Sequence, residues 1–381
     1  MKRVAIIGAG LSGLFIANLF KGESNYKITI YEKGHSVNLD EGYGIQLSVN
    51  SIKILNKIKF DTLKDDEKFN PDKINFYSND NLKKICELKI SDFNSTQCKY
   101  TTLKRSTLIN FLKKDLDGLI KTNYSISKIK QKNELIQLSF ENNETNECDY
   151  LIISDGVFSK SKNLISNNQI KPRFNNTLAI RGMINNHFNL IDDKNISLFL
   201  GSNYHHVIYP VNPNGDLNFI SVLDYKLSHE EQKNYSLLNE DYYLNKILDK
   251  ITLKGLDLRN ILKKVKIFPI FVSKNFYKKE NNNIHLIGDA FFAFPPSFAQ
   301  GASQSIEGAY ELFKSIENKT ENIFFKNRVK KTKMVNIRSK LNQFIFHLSN
   351  SLIIFLRNIV LKKLVKNKLF LKTYLGKIYK N

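Results

Sequence analysis

The run "VAIIGAG" leading into "LSGLFIANLF" limits the fold of this chain more tightly than any other stretch. Gly8, Gly10 and Gly13 make a G-x-G-x-x-G turn between an apolar strand and a helix. The first glycine permits the tight turn, the second lets backbone approach a pyrophosphate, and the third lets the helix pack on the strand. The helix start, with Ser12 in its first turn, offers unpaired N–H groups to an anion. "YKITIYEK" reads as the next strand and ends on Glu32, nineteen residues beyond Gly13 and just before Lys33. An acidic side chain at that point accepts hydrogen bonds from ribose hydroxyls. Strand, glycine turn, helix, strand and acid in this order predict an α/β nucleotide-binding unit.

Two further apolar strands close on a carboxylate and a glycine. "DYLIISDG" ends at Asp155-Gly156, and "IHLIGDAFFAF" carries Gly288-Asp289. Open α/β sheets bind ligands at such strand ends. Between them, from about 176 to 272, the texture changes to alternating runs such as "NTLAIRGMI", "HHVIYPV" and "LNFISVLDY". These predict antiparallel strands with one wet face. The expected organisation is a nucleotide-binding domain over 1–175 and 275–340, with part of 70–100 shared with a β-rich second domain over 176–274. A basic helical segment follows over 341–381.

The net charge of +22 suggests nucleic acid until it is located. Fifteen of the 58 Lys and Arg lie after Glu321, where no acidic residue occurs, so the excess is mostly a property of the tail. With Lys and Asn abundant throughout and Trp absent, it reads as compositional drift, and no nucleic-acid partner is expected. Cys86, Cys98 and Cys148 show no C-x-x-C spacing, which points to a reducing compartment without disulfides or a zinc site. The opening apolar run is too short for a signal peptide. The expected location is cytoplasmic, with a peripheral contact at the inner face of the membrane as the alternative.

Taken together, these motifs resemble the FAD-dependent aromatic hydroxylases, in particular salicylate-hydroxylase-like members. "CDYLIISDGVFSKSK" is similar to the family's Asp-Gly motif, with Lys162 where an Arg is usual. "LKRSTLINFL" resembles the segment that supplies an Arg to the cofactor, here Arg105. "GYGIQLSVNSIKILNKI", with Gly44 and Ile45, resembles the flavin-contacting loop and helix, and so does "PPSFAQGASQSIEGA", with Pro295, Gln300, Gly301 and Ala302. The resemblance covers essentially the whole chain. It implies a Rossmann-like FAD-binding α/β domain, an interposed β-rich substrate domain and a helical C-terminus.

By the same resemblance, Asp289 holds the ribityl hydroxyls, and the helix beginning near Gly301 points its positive end at the pyrimidine side of the flavin. FAD is then bound non-covalently, NADH or NADPH reduces it, O2 adds at its C4a carbon, and the terminal oxygen of the hydroperoxide passes to a small aromatic, phenolic ring. The choice between NADH and NADPH stays open. Phe291 and Phe292 stand where the family often has Ala-His; they either wall the substrate pocket or serve as core aromatics.

"YHHVIYPV" carries the expected chemistry. With a side-chain period of two, His205 and Tyr209 share one face of a strand and His206 takes the other. Related hydroxylases carry a similar His-x-x-x-Tyr-Pro. The resemblance implies His205 as the base that deprotonates the phenol and Tyr209 as a residue that orients it, with His206 as the rival. A phenolate attacks electrophilic oxygen far better than a phenol does. Arg181, in "AIRGMI", is placed to meet a substrate carboxylate or the cofactor; a structural salt bridge is the other possibility.

In the tail, Leu341, Ile345, Leu348, Leu352, Phe355 and Ile359 fall three or four apart, as on one helix face, interrupted by Arg357, Lys362 and Lys363. No run reaches the length of a membrane span. The helix is expected to pack on the body, with contact to an anionic membrane surface as the alternative. Two other functions stay open: a quinone-pathway hydroxylase of a lipid-tailed phenol, and an FAD-binding protein that no longer hydroxylates. Oligomeric state is not readable.

Overall fold

The computed structural model describes residues 1–37, 43–132, 134–166, 169–185, 192–277 and 283–379. Five parallel strands form the nucleotide-binding sheet, in the order Ile284–Leu286, Tyr150–Ile153, Lys2–Ile7, Tyr26–Tyr31 and Ile120–Lys121. Its central strand is apolar on both faces because both are covered. Val4 and Ile6 pack with helices Leu11–Lys21 and Gly301–Glu317, while Ala5 and Ile7 pack with Leu138, Phe140 and Phe291 on the other side. The second face carries an antiparallel sheet of Ile126–Lys132, Leu135–Phe140 and Thr145–Cys148.

The glycine turn has the shape its residues require. Gly8 takes a left-handed φ of +99°, and a Cβ on Gly13 would stand 2.1 Å from the carbonyl oxygen of Gly8. The helix can approach the strand only because that carbon is missing.

A seven-stranded sheet runs in the order Leu262–Val272, Arg173–Asn185, Asp216–Asp224, Tyr204–Pro210, Ile196–Leu200, Lys73–Ser78 and Lys84–Lys89. Neighbours are antiparallel except Ile196–Leu200 with Lys73–Ser78, which run parallel. One face, with Leu178, Ile180, Ile208, Leu217 and Phe219, packs against residues of the 229–261 region such as Leu238, Ile247 and Leu258. The other face was expected to be wet. It instead lines a largely apolar cavity of about 660 Å³, closed on its far side by the C-terminal helices. A three-stranded sheet of Gly44–Leu47, Thr101–Lys104 and Lys68–Phe69 lies between the two larger sheets, tied to the seven-stranded one by the Lys104–Asp216 ion pair at 2.6 Å.

The tail departs from its expected course. Helix Glu321–Phe346 ends before His347, and Asn350 caps a new helix, Ser351–Leu364, by accepting from the N–H groups of Leu352 and Ile353. The single face proposed from Leu341 to Ile359 therefore does not form. Leu352, Phe355 and Ile359 are exposed, whereas Arg357, expected to interrupt the apolar face, is buried and reaches the carbonyl of Ile345. Ile345, Phe346, Leu361, Val365, Leu371 and Leu375 turn toward the cavity instead. No helix among the described residues is long and apolar enough to cross a membrane.

Candidate active site

The cavity runs from the start of the 301–317 helix to the tail. Gly44, Ile45, Asp289, Ala299, Gly301 and Ala302 line one end; Arg181, His205, Tyr209 and Asn218 line the sheet wall. Period-two alternation on strand Tyr204–Pro210 sends His205, Val207 and Tyr209 into the cavity and packs His206 against Tyr204 and Phe219 behind it.

At the nucleotide end, the 11–21 helix begins after Gly10 without a side-chain cap. A Cβ on Gly10 would meet no atom within 4 Å, so there is room for an anion before the first N–H groups. Ser12 is buried, and its hydroxyl would lie 2.6 Å from a Cβ on Gly288, which takes a φ of +59°. Glu32 braces the turn, accepting from the N–H of Ala9 at 2.8 Å and of Gly34 at 2.9 Å. Each carboxylate oxygen keeps a lone pair for a further donor. Lys33 beside it is exposed. Arg105 opens helix Arg105–Lys113, its N–H bonded to the carbonyl of Tyr43.

Asp155 accepts from the N–H of Ser161 with one oxygen; the other is buried without a hydrogen-bond partner among the described residues. Gly156 follows with a φ of +83°. Lys162 is buried and donates to the carbonyl of Ala290 at 2.7 Å. Burial pulls its pKa below the ordinary lysine value, opposed by Asp155 and Asp289. Asp289 is exposed, with its side chain open to the cavity. Desolvation by the protein around it raises its carboxyl pKa, and the Lys162 ammonium opposes the rise. An unpartnered oxygen at Asp155, a carboxylate facing the cavity at Asp289 and the glycine cradle are donors, acceptors and space that fit FAD.

The 301–317 helix also starts uncapped, and nothing lies within 4 Å of a Cβ on Gly301. Its positive end thus opens into the cavity. Ala299 is left-handed at φ +50°, and Pro295 is buried with its carbonyl accepting from the Ser339 hydroxyl. Gln300 turns inward toward Ser48 and Gln304, away from the cavity. Phe292 also lies off the cavity, stacked on Phe276 with ring centroids 4.2 Å apart, and Phe291 packs against Phe324 and Phe325.

On the sheet wall, His205 is buried with Nδ1 2.8 Å from Nε2 of His347. Burial, with His347 and His206 adding, holds its pKa well below the ordinary histidine value, so the ring is neutral. Tyr209 is buried and its phenol is pushed up by that burial, with Arg181 pulling it down. Arg181 sits 5.9 Å from the ring centroid of Tyr43, and no carboxylate among the described residues forms an ion pair with it. Asn218, Gln46 and Tyr100 were not anticipated. The Asn218 side-chain oxygen accepts from Gly44 N–H at 2.6 Å, and Tyr100 donates to Gln46 at 2.8 Å.

No protein-family model matches the chain. It is 22% identical over 317 residues to 3-amino-4-hydroxybenzoate 2-monooxygenase of Streptomyces platensis, covering 81% of this chain and 78% of the relative. It is also 22% identical over 345 residues to salicylate hydroxylase of Pseudomonas putida, covering 84% and 78%. The chain is similar to FAD-dependent aromatic hydroxylases. Its fold agrees throughout: HpxO of Klebsiella pneumoniae, solved with FAD and uric acid, superposes with a TM-score of 0.80 at 14% identity over 99% of this chain and 96% of that one. A salicylate hydroxylase substrate complex superposes with 0.75 at 17% identity, over 100% and 95%. The relatives favour neither the quinone-pathway alternative nor the non-hydroxylating one.

Proposed function

We propose that this flavoprotein uses NAD(P)H and O2 to hydroxylate a small phenolic acid held in the 660 Å³ cavity between the seven-stranded sheet and the C-terminal helices. The observation that carries it is the sheet wall: a neutral histidine, His205, shares the cavity face with Arg181, a cation lacking a protein carboxylate partner among the described residues. Arg181 would receive the substrate carboxylate, which its planar fork suits. His205 would take the phenolic proton at Nε2, the ring nitrogen not engaged by His347. Tyr209, on the same face, would fix the ring between them.

Gly10, Ser12 and Gly13 would hold the pyrophosphate, Glu32 the ribose, Arg105 and Asp155-Gly156 the neighbouring cofactor groups, and Gly288-Asp289 the ribityl chain. Gly44, Ile45, Gly301 and Ala302 would surround the ring system. When bound, FAD reduced by NAD(P)H supplies the activated oxygen. The apolar lining from Phe346, Leu361, Leu371 and Leu375 keeps water from the reacting end. The test is NAD(P)H oxidation in air by the FAD-loaded protein across hydroxybenzoates and other phenols, with product mass recorded. A stimulated rate with gain of one oxygen atom supports the proposal, and no stimulation by any phenolic acid opposes it.

A second property rests on helix 351–364. Leu352, Phe355, Leu356 and Val360 are all more than half exposed on it, and Lys362, Lys363, Lys366 and Lys368 follow. An apolar face beside a lysine row suits an anionic lipid surface. Flotation with phosphatidylserine vesicles, but not with neutral ones, is expected for the wild type and is expected to vanish when Leu352 and Phe355 are changed to Ser.

A further inference from the structure

The cavity extends well beyond the polar groups gathered at one side of it. Across the seven-stranded sheet, Arg181 stands opposite Ile220, Ile220 opposite Val207, Val207 opposite Leu198, and Leu198 opposite Phe76. All five side chains border the cavity. Neighbouring strands lie about 4.8 Å apart, so this row runs about 19 Å from the strand of Arg181 to that of Phe76. A second row places Asn218 opposite Tyr209 and, further out, Ile196 opposite Ile74 and Ile74 opposite Leu88.

Polarity divides along these rows. Arg181, Asn218, Tyr209 and His205 all lie on three adjacent strands, Arg173–Asn185, Asp216–Asp224 and Tyr204–Pro210. The three strands beyond them give the cavity only Ile74, Phe76, Leu88, Ile196 and Leu198. Leu361, Val365 and Leu375 of the tail pack with these residues in one hydrophobic cluster. Tyr374, also from the tail, donates its hydroxyl to Asn342 at 2.6 Å. Among the described lining residues, the charged side chains are Arg181 and Asp289, and neither lies on these outer strands. The cavity therefore has an apolar arm.

Such an arm offers water no hydrogen-bond partners, so it favours an apolar occupant. A ring whose carboxylate meets Arg181 covers about two strand spacings and leaves the outer strands uncovered. A bare hydroxybenzoate would leave that lining without contacts on one side, forfeiting dispersion attraction. We infer that the substrate carries an apolar substituent of several carbons on the side of its ring away from the carboxylate, and that the arm is the pocket that selects it. This rests on the phenolic-acid reading above and narrows it. A charged substituent is rejected, because it loses its hydration there and finds no partner in exchange.

Calorimetric titration of the full-length, FAD-loaded protein with benzoate and its 4-methyl, 4-ethyl, 4-propyl and 4-butyl derivatives tests the inference. It needs neither NAD(P)H nor a phenol. Affinity is expected to rise about fourfold per methylene, on the order of fiftyfold from 4-methylbenzoate to 4-butylbenzoate. Leu198→Trp and, from another strand, Leu88→Trp fill the arm and should cut that rise to less than about threefold, whereas Leu198→Ala should keep it. Benzoate binding without any rise in the wild type would overturn the inference and leave the phenolic-acid reading standing. A full rise in both filled variants would also overturn it, by placing the chain elsewhere. No binding of any member would overturn it together with the pairing of Arg181 and a substrate carboxylate.

Discussion

Ser339, buried in the middle of helix 321–346, donates its hydroxyl to the carbonyl oxygen of Pro295, and Asn342 on the same helix donates to Ser297 at 3.0 Å. The tail thus holds the turn that precedes the cofactor-facing helix. Replacing Ser339 with Ala leaves a buried carbonyl without this donor, which costs about 1–3 kcal/mol. Urea denaturation should show that loss, and flavin fluorescence titration should show weaker FAD binding.

Glu307, fully buried on the 301–317 helix, is held by Asn50, Arg328 and Lys331. Removing one member of a buried charge pair costs about 3–5 kcal/mol because the partner stays buried and uncompensated. Arg328→Ala is expected to lose that much stability in urea denaturation. Gly308→Ala should lose stability as well, since its Cβ would stand 2.9 Å from Nε of Arg328.

His206 is buried and neutral, its pKa lowered by desolvation to about 4. The unfolded chain takes up this proton near the ordinary histidine value of about 6.5. Between those values the unfolded state binds more protons, so the contribution is complete above pH 6.5 and falls as the pH drops toward 4. The loss through this group is on the order of 3 kcal/mol. His206→Phe should flatten the stability profile in that window, and an equally steep profile would locate the acid sensitivity elsewhere.

Arg181→Met keeps the length and apolar stem but removes the charge facing the cavity. Binding of hydroxybenzoates should weaken at least tenfold, while phenols without a carboxylate should bind as before. Isothermal titration against matched pairs of ligands checks this. Equal loss for both members would mean that Arg181 shapes the wall without pairing with the substrate.

Local chemistry is legible in the sequence. The glycine turn, Glu32 and Gly288-Asp289 announce themselves through spacing, and strand alternation separates His205 from His206 because the period is two. Contacts made across the chain are not legible. His347 is a lone histidine in "FIFHLSN", and its neighbours Asp224 and His205 lie more than a hundred residues earlier. The tail misleads for a different reason. Its apolar spacing continues across 347–350, but Asn350 restarts the helix and rotates the faces, a capping signal present in "SNSLI". The inward turn of Phe292 and Gln300 depends on partners, Phe276 and Ser48, that local pattern does not reveal.

The most direct measurement is turnover of the FAD-loaded protein with NAD(P)H, a hydroxybenzoate panel and isotopically labelled dioxygen. The account predicts a product carrying one labelled oxygen atom for at least one member bearing both a phenol and a carboxylate. NAD(P)H consumption that yields only peroxide across the whole panel, or product oxygen drawn from water, would contradict it.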